Sequence, residues 1–199
     1  MYFYIFKRLF DLFLSLILFF LLLPFLIIII LLSLIIYRHN PFFIQRRSGL
    51  FGKPIKVFKL KTMKDFKDKK IITKLGNFLR ISKLDEIPQL INVIVNDMSL
   101  IGPRPLYVEF NDHYKRKHKL RLKMKPGITG LAQIKLKDSS NWHSKFNFDY
   151  IYYKNKSISL DMFILYKTFA NILSTLFDKN KRPIEKIDYL EDFFKKYAK

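Results

Sequence analysis

Residues 12–37 read LFLSLILFFLLLPFLIIIILLSLIIY. These 26 residues carry no charge, and their only hydroxyls are Ser15, Ser33 and the terminal Tyr37. As a straight helix the run would extend about 39 Å, more than the roughly 30 Å hydrocarbon core of a bilayer requires. A surface helix of a globular protein keeps a polar stripe. None is present here, so the segment is expected to be embedded in a membrane. The run is too long for the apolar part of a signal peptide. Tyr37-Arg38-His39-Asn40-Pro41 follows it where a small-residue cleavage site would be needed, so it is expected to be retained.

Pro24 stands in the middle of the run. It removes one backbone donor and crowds the carbonyl of Phe20, so a kink is expected there. A kinked span and the apex of a re-entrant hairpin both fit that feature, and composition leans towards the span. Lys7 and Arg8 before the run and Arg38 and His39 after it barely favour one orientation. The chain beyond Tyr37 carries +20 of the formal +21, which places the soluble part in the cytoplasm.

The surrounding composition narrows the function. The chain has 199 residues, 50% of them hydrophobic, which suits one ordinary domain beside the apolar segment and excludes a disordered chain. Against 16 Asp and Glu stand 37 Lys and Arg, so an anionic partner is expected. The absence of Cys excludes disulfides, thiolate metal sites and thiol nucleophiles. The four His form no HExxH pattern, which argues against a zinc enzyme. No helix-turn-helix, zinc-finger or RNP-like spacing is present, so nucleic acid is not the expected partner. Basic residues mixed with Phe and Tyr fit docking on an anionic phospholipid membrane.

Three units are expected: residues 1–40 with the membrane helix, 41–177 as a catalytic domain, and 178–199 as a polar tail. Residues 38–60 read as strand and turn, with Ile55 to Leu60 alternating. Residues 64–74 read as a surface loop. Leu75 to Asn96 reads as helix interrupted by Pro88, residues 106–124 as an amphipathic helix, and Leu160 to Phe177 as another.

One cluster stands out chemically. Asp85 and Glu86 sit side by side in Ser82-Lys83-Leu84-Asp85-Glu86-Ile87-Pro88-Gln89-Leu90. Two readings compete: Ser82 and Asp85 as a helix-capping pair, or two carboxylates at the mouth of a site. Arg104 lies between Pro103 and Pro105, where a stiff backbone would present a planar fork to phosphate. The loop Gly127-Ile128-Thr129-Gly130 can offer backbone N–H groups to an anion. Carboxylates among phosphate-binding bases at a membrane suit phosphoryl transfer with a lipid-borne partner and Mg²⁺.

These stretches, taken together, resemble the small bacterial monotopic phosphoglycosyl transferases. The resemblance rests on Lys7-Arg8-Leu9-Phe10-Asp11, Gln45-Arg46-Arg47-Ser48-Gly49, Phe58-Lys59-Leu60-Lys61-Thr62-Met63 and the segment from Ser82 to Val93. It continues through Asp97 to Pro105, Lys125 to Gln133, Asp149 with Tyr152-Tyr153, and Ser159-Leu160-Asp161. It implies an α-rich α+β fold: a re-entrant membrane helix hairpin bent at Pro24, and a small membrane-surface catalytic domain with amphipathic interfacial helices. It implies transfer of a sugar-1-phosphate from a UDP-sugar to polyprenyl phosphate at the bacterial inner membrane, facing the cytoplasm. Asp85 would be the nucleophile and Glu86 its metal-binding partner, both touching Mg²⁺. Arg104, Arg80 and Lys59 would bind phosphate, while Gly127, Thr129, Gln133 and Lys137 would form a nucleotide or sugar loop. Downstream glycosyltransferases would be partners. An inactive membrane scaffold of the same fold is the alternative, and the intact Asp85-Glu86 pair speaks against it. The chain departs from the family pattern at Leu23 (usually Ser), Asn96 (usually Gly), Leu131 (commonly an interfacial Trp) and Ile134 to Asp138.

Overall fold

The computed structural model describes residues 2–66, 69–136 and 141–177. Helix α1 (Tyr2–Tyr37) is one helical run with Pro24 inside it. Asp11, Ser15, Leu26, Ile29, Ser33 and Tyr37 are buried. Their spacing places them along one stripe, and this stripe lies against the rest of the protein. Phe13, Ile17, Phe20, Phe25, Ile28, Leu31 and Ile35 are exposed. Such a surface is costly in water and natural in lipid. Both ends of α1 are tied to the rest of the protein. Arg8 donates to the carbonyls of Val93 and Ile94 at 2.7 and 2.8 Å, and the Tyr37 hydroxyl meets the Thr73 hydroxyl at 2.8 Å.

Three small sheets follow. Strands β1 (Phe42–Ser48) and β2 (Pro54–Leu60) form an antiparallel hairpin, with Phe42 opposite Leu60 and Ser48 opposite Pro54. Strands β3 (Met63–Phe66) and β4 (Lys69–Ile72) form a second, so most of the segment read as a surface loop is strand. Met63 and Ile72 pair across this hairpin. Cross-strand pairing, invisible in a charge-rich sequence, organises it.

Helix α2 (Lys74–Ser82) begins at Thr73, whose hydroxyl accepts from the Gly76 N–H at 2.9 Å. Helix α3 (Gln89–Ile94) follows Pro88 and ends where Arg8 takes its last carbonyls. A cation suits that negative helix end. Asn96 takes φ 74°, so an asparagine serves where glycine is usual. Strands β5 (Ser99–Ile101) and β6 (Gly127–Thr129) run parallel. Helices α4 (Leu131–Lys135), α5 (Trp142–Asn155) and α6 (Ile158–Phe177) complete the described chain.

Residues 106–124 do not form the expected single helix. They make two 3₁₀ segments, Val108–His113 and His118–Lys123. Lys115 with Lys119, Lys119 with Lys123 and Lys117 with Arg121 are like-charge pairs at i,i+4, which oppose an α-helix. His118, Arg121 and Met124 are buried at intervals of three, the 3₁₀ period.

The main core joins Val57, Leu79, Val93, Met98, Ile101 and Ile164 to Leu26 and Ile29 of α1. A satellite core packs Phe110 on Trp142 and Tyr114 on Phe146, edge to face at 5.7 and 5.2 Å. Leu131, which stands where the family commonly has an interfacial Trp, is buried. On α6, Asp161 and Ile164 are buried while Met162, Phe163, Tyr166, Phe169, Leu173 and Phe177 are exposed, leaving an apolar stripe outside the core.

Candidate active site

The acidic pair sits on a sharp turn. Lys83 closes α2 in the left-handed region at φ 60°, and Leu84–Glu86 form a 3₁₀ turn directly after it. Ser82 does not cap this turn; its hydroxyl donates back to the Phe78 carbonyl at 2.8 Å. The capping reading of Ser82 and Asp85 is therefore not realised, and Asp85 is released from that role.

The two carboxylates live in different surroundings. Glu86 is buried, and its Oε1 accepts from Lys59 Nζ at 2.8 Å and from the Arg104 guanidinium at 2.9 Å. Burial opposes its charge, but Arg104 and then Lys59 outweigh burial and hold the Glu86 carboxyl well below its ordinary range. Asp85 Oδ1 is buried and has no hydrogen-bond partner among the described residues. Burial, reinforced by the adjacent Glu86 charge, pushes the Asp85 carboxyl up to about 6. The pair thus holds one fixed anion and one carboxylate that keeps its lone pairs available.

The scaffold that aims the bases is specific. Asn92 of α3 donates to the Lys56 carbonyl at 2.7 Å and accepts from the Phe58 N–H at 3.1 Å. One buried amide thus docks the edge of β2, which presents Lys59 to Glu86. The Arg104 turn rests on the β5–β6 pair. Gly127 N–H donates to the Pro103 carbonyl and Gly102 N–H to the Thr129 carbonyl, each at 2.9 Å. A Cβ on Gly127 would lie 2.0 Å from the Gly102 nitrogen, so only glycine permits this approach. Arg121 completes the frame. Its guanidinium binds Asp149 at 3.0 Å, the Tyr114 hydroxyl at 2.7 Å and the Arg104 carbonyl at 2.7 Å.

Lys59, Glu86 and Arg104 meet as one cluster beside Asp85. Arg80 instead donates to the Thr62 hydroxyl at 2.8 Å. Thr129 bonds Thr168 at 2.7 Å, and Gln133 donates to the Ile128 carbonyl at 3.0 Å. Gly127 and Thr129 thus serve the fold around Arg104, and Gly127 N–H is engaged by Pro103. Lys137 lies outside the described residues. Two groups were not legible as site residues. Lys83 brings a positive charge close to both carboxylates. Arg47 lies 3.7 Å over the Tyr107 ring and donates to Gln45 Oε1 at 2.6 Å. Burial and, after it, the charge of Arg104 push Arg47 down from its ordinary value, which places Arg47 near the cluster. Both lie inside stretches that carry the family resemblance, and that was the only available signal.

Among the described residues, no three His, Cys, Asp or Glu gather as a metal cage. Mg²⁺ needs no such cage, because one or two carboxylates and substrate phosphates can hold it. The unpartnered Asp85 oxygen and the adjacent Glu86 fit that mode.

The acidic pair is framed by Lys59, Lys83 and Arg104, a setting whose chemistry suits a phosphorylated ligand. The chain belongs to the bacterial sugar transferase family, whose model matches residues 2–175. It is similar to the uncharacterized sugar transferase EpsL of Bacillus subtilis, 42% identical over 140 residues, covering 66% of this chain and 69% of that protein. The UDP-glucose:undecaprenyl-phosphate glucose-1-phosphate transferase of Escherichia coli is 40% identical over 144 residues, covering 63% of this chain and 31% of that protein. Its Klebsiella pneumoniae namesake is 37% identical over 182 residues, with 82% and 39% covered. The chain therefore spans well under half the length of the latter two.

Proposed function

We propose that this protein transfers a sugar-1-phosphate from a UDP-sugar to polyprenyl phosphate, through a covalent phosphosugar on Asp85. The observation that carries the reading is the inequality of the acidic pair: Glu86 clamped by Lys59 and Arg104, and Asp85 Oδ1 without a partner. The names of the relatives support the donor and acceptor classes.

The Asp85 carboxylate attacks the β-phosphorus of the UDP-sugar. The bond from that phosphorus to the bridging oxygen breaks, and UMP leaves with the electron pair. The sugar phosphate is then held as an acyl phosphate. An oxygen of polyprenyl phosphate attacks the same phosphorus, the Asp85–phosphorus bond breaks, and the carboxylate is restored. Arg104 and Lys59 draw charge from the phosphoryl oxygens while remaining anchored on Glu86. Glu86, ionised and paired, orients these two cations. Mg²⁺ held by Asp85, Glu86 and the diphosphate would supply further charge neutralisation.

The membrane arrangement belongs to the same reading. Arg8 and Tyr37, at opposite ends of α1, both bond to the catalytic unit. A water-soluble unit lies on one side of a bilayer, so a helix with both ends on it enters and returns on that side. This supports a re-entrant α1 with the site facing the cytoplasm. The exposed apolar stripe of α6 supports an interfacial helix that holds the site at the lipid surface. A lipid-linked product would then pass to downstream glycosyltransferases in the same membrane.

The test uses full-length protein with a panel of UDP-sugars and no lipid acceptor. UMP should be released once per active site, and the peptide containing Asp85 should gain a hexose-phosphate mass. Intersecting double-reciprocal plots together with no trapped adduct would replace this mechanism with direct attack by polyprenyl phosphate.

A further inference from the structure

A second cation-rich cavity lies away from the acidic pair. It measures about 190 Å³ and shares no lining residue with the Lys59–Glu86–Arg104 cluster. Lys7, Arg8, Lys123, Lys125 and Lys156 line it, and Asp11 is the one carboxylate among its lining residues. Lys7 is balanced by Asp161 at 2.8 Å and by Asp11 at 3.6 Å. Arg8 donates to the Val93 and Ile94 carbonyls, and Lys125 bonds the neutral amide of Asn96, with the charges of Asp11 and Asp97 also near Lys125. Among the described residues, no ion pair neutralises Arg8, Lys123 or Lys125. Burial and, after it, the nearby charge of Arg8 push the Lys125 ammonium down from its ordinary value. Two like charges held at one cavity are stabilised by an anion placed between them.

The depth of this cavity selects the anion. Arg8 and Asp11 precede the uncharged run that starts at Leu12, which is the level of the lipid headgroups once α1 is embedded. Ile5, Phe6, Leu9 and Phe13, on the same turns of α1, are exposed. A ligand with a phosphate in the cavity and hydrocarbon beside these side chains satisfies both features. We propose that this cavity binds the phosphodiester of an anionic phospholipid headgroup, with Arg8 and Lys125 as its principal cations. The site is non-catalytic. It rests on the membrane embedding of α1 and not on the chemistry at Asp85.

The experiment compares full-length protein in detergent micelles supplied with dioleoyl-phosphatidylglycerol or dioleoyl-phosphatidylcholine, read by native mass spectrometry. The wild type should retain phosphatidylglycerol about tenfold better, a difference of about 1.4 kcal/mol. The double variant Lys123→Gln/Lys125→Gln should lose this preference, whereas Lys125→Arg should keep it. Arg116→Gln/Lys117→Gln, which removes equal charge elsewhere, should also keep it. Equal retention of the two lipids by the wild type would overturn the proposal. So would equal loss in both double variants, which would reduce the effect to general surface charge. Displacement of phosphatidylglycerol by millimolar sodium phosphate would overturn the lipid as occupant in favour of a soluble phosphate. Covalent labelling of Asp85 by UDP-sugar in phosphatidylcholine micelles reports the transferase reading separately.

Discussion

Two neighbouring side chains of nearly identical chemistry are driven apart by their partners. Glu86 gains Lys59 and Arg104, while Asp85 keeps an unpartnered oxygen and titrates at about 6. Asp85→Asn should abolish turnover, since an amide forms no acyl phosphate. The same change should stabilise the fold. The Asp85 carboxyl titrates at 3.8 when unperturbed and at about 6 when folded, so the native state binds the proton more tightly. Native stability is therefore lost as pH rises from about 4 through 6, and above that the deficit is on the order of 3 kcal/mol. Thermal unfolding should show Asp85→Asn more stable than wild type at pH 7.5 and nearly equal near pH 4. In wild type, the rate of UMP release should fall as pH drops below about 6, tenfold per unit, because the protonated carboxyl does not attack. A flat profile between pH 5 and 7 would contradict this assignment. At Arg104, Lys should retain more activity than Ala but less than wild type, because an ammonium keeps the charge and loses the fork.

Short elements carry the aim of these side chains. The β5–β6 pair brings Gly102 against Gly127, and backbone atoms there cannot yield to a new methyl group. Gly127→Ala should cost about 1–3 kcal/mol and disturb the turn that holds Arg104. Gly49→Ala is the comparison: its Cβ would meet Ile55 Cγ2 at 2.6 Å and the Lys53 carbonyl oxygen at 3.0 Å, contacts less close than those at Gly127, and the loss in unfolding midpoint should be smaller. The proposed membrane placement of helix α1 has its own test. The chain has no Cys, so single cysteines placed at Tyr2 and at Lys199 report their sides unambiguously. Both should resist a membrane-impermeant thiol reagent in intact cells and react after permeabilisation. Labelling of the Tyr2 site from outside would convert α1 into a spanning helix.

Across the molecule, buried polar links tie the apolar helix α1, the two cores and the site into one unit. Lys7 reaches Asp161, which accepts from the Tyr152 hydroxyl at 2.6 Å, and Asp11 accepts from Ser99 at the start of β5 at 2.6 Å. Arg121 and Asp149 join the satellite core to the Arg104 backbone. Arg121→Met alone should destabilise the protein by about 3–5 kcal/mol, because Asp149 is left buried without a partner. Adding Asp149→Leu should recover most of that loss without restoring full activity, since the Arg104 carbonyl still lacks its donor. Recovery of both would make Arg121 a purely structural residue. EDTA should abolish turnover and Mg²⁺ restore it, because a diphosphate brought to two carboxylates is otherwise repelled; full turnover in chelator would remove the metal from the mechanism.

The apolar run at 12–37, the α-rich plan and the pairing of Asp85 with Glu86 could be read from the chain alone, because each is a local pattern of hydropathy or spacing. Asn96 as a glycine substitute came from the family resemblance, and its positive φ bears this out because a left-handed residue is a property of one backbone unit. The 3₁₀ segments after Pro105 were not legible, since Arg121 turns inward only when Asp149, 28 residues on, is in place. Nor did composition reveal that the Gly127 loop packs against Gly102. Adjacent in sequence, Asp85 and Glu86 are equivalent on paper. Their difference arises from Lys59 on a hairpin and Arg104 on a distant turn, because the electrostatic potential at a carboxylate depends on where charges lie in space.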